Sequence, residues 1–234
     1  MMDLHFQSEE HLNSFVKNLK FIGFGSEGCC YKINKNVVFK HLCGPSYEEK
    51  SKEEILQFKD IKIPNYIFVQ NIGYLNGAIV GVLMRYVSGK CVDDGLFRVQ
   101  ISNLIKAFDD LVSATRKLSN YGISVFDACP INMLYNNSRF YLIDTMDYIK
   151  KDIDSDQVFK DNMISIIKQM ESSIIPFEIL NFISSIPEIK EFRKDDDLLI
   201  NPSYILKVLL RELNSYLGCE IKTLEEASKK LVKN

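Results

Sequence analysis

Asp127, Asn132 and Asp144 fall within one short run, FDACPINMLYNNSRFYLIDT, from Phe126 to Thr145. Hard divalent cations take oxygen ligands, and Mg²⁺ is typically held by one or two carboxylates together with substrate phosphates. An aspartate, a carboxamide five residues on, and an aspartate closing an apolar strand could hold Mg²⁺ and a phosphate beside a carboxylate base. Acidic and amide residues are common in loops, so the weight of this trio rests on what lies upstream.

Two upstream features bear on it. Gly23-Phe24-Gly25-Ser26-Glu27-Gly28 is a complete G-x-G-x-x-G with β-type residues on both sides. In dinucleotide folds this pattern joins a strand to a helix. Between two strands it predicts a hairpin whose backbone amides can approach phosphates unobstructed by side chains. A glycine-rich turn with no ligand is the commoner use of such a pattern. Lys40 ends the apolar strand Val37-Val38-Phe39 and could reach phosphates if an acid held it. Glu48, Glu49, Glu53 and Glu54 all follow. Glu54 is favoured, because it shares a helical face with Phe58 and Ile61 and so predicts burial toward the sheet.

The elements that must position these groups are legible in coarse form. Ser8 followed by Glu9 and Glu10 predicts a capped helix over residues 8–18. Residues 20–42 read as three short strands (KFIGFG, CCYKI, NVVFKHL) with turns at glycine and at Asn34–Asn36. A helix over 46–60, capped by Ser46 or Ser51, is broken by Pro64-Asn65. YIFVQNI and AIVGVLMRYV follow as strands around a turn at Leu75-Asn76-Gly77. Residues 20–87 thus read as a five-stranded antiparallel sheet with one inserted helix. From Phe97 to Tyr121 the apolar spacing is helical, and a β-hairpin carrying the opening trio comes next. Helical segments broken near Pro176, Pro187 and Pro202 complete the chain. Lys190 to Asp197 reads as a solvated charged loop, and Leu198 to Leu217 as a core helix pair. Tyr135, Phe140 and Tyr141 read as strand packing.

Composition excludes several classes. The 234 residues, 46% hydrophobic and 26% charged, are those of an ordinary globular protein able to bury a sizeable core. A net charge of −2 does not favour a nucleic-acid or anionic-membrane partner. No apolar run reaches membrane-spanning length, and the N-terminus has no signal-peptide pattern. The six cysteines show no C-x-x-C spacing, and there are three histidines, at 5, 11 and 41. That argues against a zinc site or disulfide framework and for a reducing, cytoplasmic setting.

In order, these features resemble the protein-kinase-like superfamily, in an atypical, bacterial-type form. Gly23 to Gly28 resembles the glycine-rich loop, and Val37-Val38-Phe39-Lys40 the V-A-I-K strand. Ile61-Lys62-Ile63-Pro64-Asn65 is similar to L-x-H-P-N, and Met84-Arg85-Tyr86-Val87-Ser88-Gly89 to the gatekeeper and hinge. Asp127-Ala128-Cys129-Pro130-Ile131-Asn132 resembles D-L-K-P-E-N, and Tyr141-Leu142-Ile143-Asp144 the strand into D-F-G. The resemblance spans roughly residues 18–150. It implies an α+β, bilobal protein-kinase-like fold. Residues 1–87 would form the sheet lobe, and 88–234 a compact, mostly helical lobe.

It also implies ATP and Mg²⁺ as cofactors and a hydroxyl acceptor, on a protein or a small molecule. Gly23, Gly25, Ser26 and Gly28 would cover the phosphates. Cys30, Val38, Met84, Arg85 and Tyr86 would line the nucleotide. Lys40, held by Glu54, would orient the phosphates. Asn132 and Asp144 would bind metal, and Asp127 would take the acceptor's proton. Departures bear on regulation and acceptor choice. Val125 and Phe126 stand for the histidine and arginine of H-R-D, and Cys129 for the following lysine. Thr145 and Met146 follow Asp144, and Ile175-Pro176-Phe177-Glu178 is a poor A-P-E. Three readings remain: a protein kinase of Ser/Thr type, a small-molecule kinase similar to aminoglycoside, choline or sugar phosphotransferases, and a pseudokinase or nucleotide-binding interaction module.

Overall fold

The computed structural model describes residues 2–43, 50–187, 189 and 200–233. The expected Ser46 cap, Glu48, Glu49 and the charged run Lys190 to Asp197 lie outside the described residues. The protein is α+β and divides into two compact units, residues 1–62 with 67–88, and 63–66 with 89–234.

The first unit is built on a six-stranded sheet. Its strands are β1 (Leu4–Phe6), β2 (Lys20–Gly25), β3 (Gly28–Asn34), β4 (Val37–Leu42), β5 (Val69–Leu75) and β6 (Ala78–Arg85), in spatial order β1-β5-β6-β4-β3-β2. Five strands pair antiparallel as the sequence predicts. The sixth, β1, is a correction: it pairs parallel to β5, so the sheet is mixed. Three residues carry no readable alternation, and only pairing with β5 makes them a strand. The β5–β6 turn places Asn76 and Gly77 at φ 51° and 87°, the twist a two-residue hairpin prefers.

Helix α1 (Glu9–Lys17) starts where predicted. Ser8 accepts from the His11 amide, and Glu9 and Glu10 occupy the first turn, where negative charge is favourable. Leu12, Phe15 and Val16 of α1 join Phe6 over Phe39 and Leu83. Gly73 and Gly81 make room for the Phe39 ring, since a Cβ at Gly81 would lie 2.3 Å from it. Helix α2 is Lys52–Leu56, far shorter than the expected 46–60, and Ser51 is its cap.

The second unit holds β7 (Lys90–Cys91), β8 (Ile123–Ser124), β9 (Met133–Asn136), β10 (Arg139–Leu142) and β11 (Ile149–Lys150) in two small sheets. Its described helices are α3 (Ile101–Ser119), α4 (Ser155–Ile174), α5 (Phe177–Ile183), α6 (Pro202–Leu217) and α7 (Leu224–Leu231). Helix α3 buries Leu104, Ala107, Phe108, Leu111, Ala114 and Leu118 along one side and packs against α4, α6 and β10. Residues 202–217 form one helix rather than a pair. The β9–β10 hairpin turns on Asn137 and Ser138, both at positive φ. Phe140 is fully buried between Phe108 and Tyr135, as strand packing requires. No helix among the described residues is long and apolar enough to cross a membrane.

Candidate functional site

In the first unit the glycine-rich pattern forms the β2–β3 hairpin, with Gly25 opposite Gly28 and Gly23 opposite Cys30. Its three glycines answer different demands. Gly28 sits against β4, where a Cβ would lie 2.0 Å from the His41 carbonyl oxygen. Gly23 and Gly25 have open space where a Cβ would go, and neither is at positive φ. The fold therefore requires glycine at 28 and not at 23 or 25. Ser26 is exposed at the turn.

Lys40 lies on β4 between Cys30 of β3 and Val82 of β6, and only 7% of its side chain is exposed. Its Nζ is 2.7 Å from Oε2 of Glu27, a residue of the glycine turn that the sequence did not single out. A buried ammonium needs a paired charge, and Glu27 supplies one. The expected Glu54 partnership is corrected. Glu54 is the third residue of α2, and its carboxylate accepts from the Ser51 amide at 2.7 Å while Ser51 Oγ accepts from the Glu54 amide. That reciprocal capping holds the Glu54 carboxyl below its usual range, chiefly through the Ser51 amide. The i, i+4, i+7 argument assumed a helix running on to Ile61. The described helix ends at Leu56, and Ile55, not Glu54, is its buried residue. Glu53 is likewise exposed.

Val38 and Met84 are register partners on β4 and β6, and both are buried. Arg85 is exposed at the end of β6. Tyr86 donates its amide to Asn36 O, and Lys32 Nζ stands 3.7 Å above its ring.

In the second unit, Asp127 follows β8 at φ 50°, a left-handed conformation rare for non-glycine residues. Asn132 ends a short 3₁₀ turn that Pro130 opens, and its Nδ2 donates to Asp127 Oδ2 at 3.0 Å. The Asn132 carbonyl accepts from the Ile143 amide at 3.0 Å, which brings the residue before Asp144 against this turn. Asp127, Asn132 and the strand leading to Asp144 are thus tied together locally. Asp144 is half-buried. Cys129 sits within the same turn. Burial, aided by the Asp127 charge, holds its thiol above the usual range and therefore protonated. Among the described residues no group of three or more His, Cys, Asp or Glu could hold a metal ion.

Three supports of this loop were not singled out from the sequence. Asn162 of α4, 1% exposed, accepts from the Val125 amide at 2.7 Å and donates to Ile123 O at 2.8 Å, so one carboxamide clamps β8 on both sides. Asn65, read as a helix breaker and as the last residue of a turn similar to L-x-H-P-N but not as a support of this loop, donates to Asp110 Oδ2 and to Phe140 O, and Arg139 grips the same Asp110 through two nitrogens. The Leu142 amide donates to Asn65 O, fixing the end of β10 just before Asp144. Tyr148 is fully buried and edge-on to Tyr66, and its phenol is held protonated mainly by burial. A buried carboxamide or phenol has no periodic signature, so the sequence offered only isolated polar residues in apolar helices. Glu178, of the weak A-P-E candidate, accepts from Ser228 Oγ at 2.7 Å at the start of α5.

No protein-family model and no curated protein matches this chain. Among solved structures it is similar to a twitchin kinase fragment from C. elegans, described as an autoregulated protein kinase with immunoglobulin domains. The identity is 14% over 56% of this chain and 32% of that one, with a TM-score of 0.46. The chain spans about a third of that structure's length, and at that score the likeness assigns neither fold nor activity.

Proposed function

We propose that this chain is an ATP-dependent phosphotransferase of protein-kinase-like fold. It transfers the γ-phosphate to a hydroxyl acceptor, on a protein side chain of Ser/Thr type, in a cytoplasmic setting. The observation that carries this reading is the Asp127–Asn132–Ile143 arrangement: a carboxylate oriented by an amide, with a second carboxylate one residue beyond a bonded backbone pair. The donor set fits Mg²⁺. Asn132 Nδ2 is directed at Asp127, which leaves its Oδ1 to serve beside the Asp144 carboxylate, and both are hard oxygen ligands. Held there, the metal would neutralise phosphate charge.

The protein's own groups do the rest. Asp127, fixed by Asn132, orients the acceptor hydroxyl and takes its proton at a carboxylate oxygen. Lys40 supplies a positive charge to the phosphates. Gly23 and Gly25 leave backbone amides uncovered, and the absence of any packing reason for glycine there supports a ligand-contact role. Cys30, Val38 and Met84 give the nucleotide an apolar surface. Phosphoryl transfer at a loose transition state depends on positioning and charge neutralisation more than covalent chemistry, which suits this set.

A small-molecule acceptor is the second reading. It is favoured by the protonated Cys129 thiol where a lysine would grip protein-substrate phosphate, and by the engagement of Glu178 with Ser228. The deciding experiment incubates the pure chain with Mg²⁺ and γ-labelled ATP, alongside Asp144→Ala. Label on protein, lost in the variant, supports the first reading. Transfer only to an added small hydroxyl compound moves it to the second. No turnover and no Mg·ATP-dependent rise in Tm leaves an interaction module without phosphotransfer.

A further inference from the structure

Cys29, Cys30 and Cys43 all lie in the first unit, and the sheet sorts them onto its two faces. On the facing strand, Cys30 stands opposite Lys40 and Cys29 opposite His41. Side chains alternate along a strand, so Cys29, His41 and Cys43 share the face that carries Tyr31 and Phe39. Cys43 directly follows the end of β4, and its amide donates to Glu27 O at 3.0 Å. The two thiols on this face interact: burial first, and then Cys29, holds the Cys43 thiol above its usual range. At rest the pair is therefore kept as thiols. Cys43 is exposed, so a small oxidant reaches it. Its Sγ stands 4.0 Å from His41 Nδ1, and burial favours the neutral form of that imidazole. A base beside the sulfur supplies what thiolate formation needs.

We propose that Cys29 and Cys43 form a redox modification site, at which hydrogen peroxide converts the two thiols into a disulfide joining β3 to the end of β4. The site does not depend on nucleotide binding. It rests reduced, which distinguishes it from a structural disulfide. The Cys43 proton passes to His41, and the thiolate attacks one peroxide oxygen. The O–O bond breaks, hydroxide leaves and takes the proton back from His41, and Cys43 becomes a sulfenic acid. The Cys29 sulfur then attacks the Cys43 sulfur, the S–O bond breaks and the S–S bond forms. The departing hydroxide takes the Cys29 proton. Two thiols and one peroxide thus give one disulfide and two waters. A disulfide needs close Cα atoms, and the adjustment falls on Cys43, which lies past the last residue of β4. Cys30, on the opposite face, takes no part.

The test treats the reduced full chain with a small molar excess of hydrogen peroxide and alkylates the remaining thiols. Mass spectrometry of the unreduced digest then maps the links. The expected result is the loss of two of the six thiols, a Cys29–Cys43 link within one chain, and recovery of all thiols with dithiothreitol. Cys29→Ser and Cys43→Ser are each expected to give no link. His41→Asn is expected to close the same link several-fold more slowly, and an equal rate overturns the His41 step. Intact thiols, sulfinic acid at Cys43 without a link, or a link that involves Cys30 or joins two chains overturns the site. The wild-type map needs no variant, so it decides even where a serine variant fails to fold.

Discussion

Gly25 offers a way to separate folding from ligand contact at a single residue. Glycine in a strand usually reflects a backbone demand, yet Gly25 has an ordinary φ and open space around its missing Cβ. Replacing such a glycine by alanine removes unfolded-state entropy and stabilises by about 0.4–1 kcal/mol where the geometry is compatible. Gly25→Ala is therefore expected to hold or raise Tm while weakening Mg·ATP binding, because the methyl group covers the amides that phosphates would approach. A fall in Tm, or unchanged nucleotide affinity, would remove the ligand-contact role. Gly28 behaves oppositely, since its Cβ would collide with backbone.

Short elements in the second unit are held by polar clamps more than by their own ladders. Strand β8 has two residues, among the described residues pairs only with β11, and gains its rigidity from Asn162 on α4. Asn162 also bonds Ser119 of α3, so α3, α4 and β8 meet at one carboxamide. Asn162→Ala would leave the Val125 amide and the Ile123 carbonyl unsatisfied in a buried place. Each such group costs about 1–3 kcal/mol. The expected outcome is a lower unfolding midpoint in urea and a loss of phosphotransfer greater than the loss of folded protein at working temperature, because the Val125 amide that Asn162 holds lies just before Asp127 in the chain. Activity that tracks the folded fraction alone would assign Asn162 to stability only. Helix α2 shows the other side of local control. Its capping box fixes Glu54 at the helix start, and that interaction is stronger than the periodicity that pointed Glu54 at the sheet.

Across the whole chain, charge is nearly balanced, at a net −2. His41, half-buried and stacked on Phe39, is held below its ordinary value by burial. The sign follows directly. The folded protein keeps His41 neutral while the unfolded chain takes a proton below about pH 6.5, so stability rises with pH in that range. The contribution is complete above the unfolded value and is lost as pH falls toward the folded one. Tm is expected to drop between pH 7.5 and 5, and His41→Leu is expected to flatten part of that slope. An unchanged slope in the variant would assign the acid sensitivity to carboxylates such as Asp3, which the Ile72 amide holds below its usual range.

Sequence alone determined what local chemistry controls. The Ser8 cap, the apolar face of α3, the turn at Asn76-Gly77, the hairpin before Asp144, and the proximity of Asp127 to Asn132 all depend on residues a few positions apart. Spacing and side-chain type suffice at that range. Tertiary structure decided what depends on pairing between distant segments. Residues 4–6 are a strand only because β5 lies beside them, and Asn65 and Asn162 are clamps only because chain 75 and 37 residues away comes within hydrogen-bond distance. The partner of Lys40 belongs to the same class. Several glutamates were close enough in sequence, but which carboxylate met the ammonium was settled by the β2–β3 turn folding over β4 and by α2 ending too soon to offer Glu54.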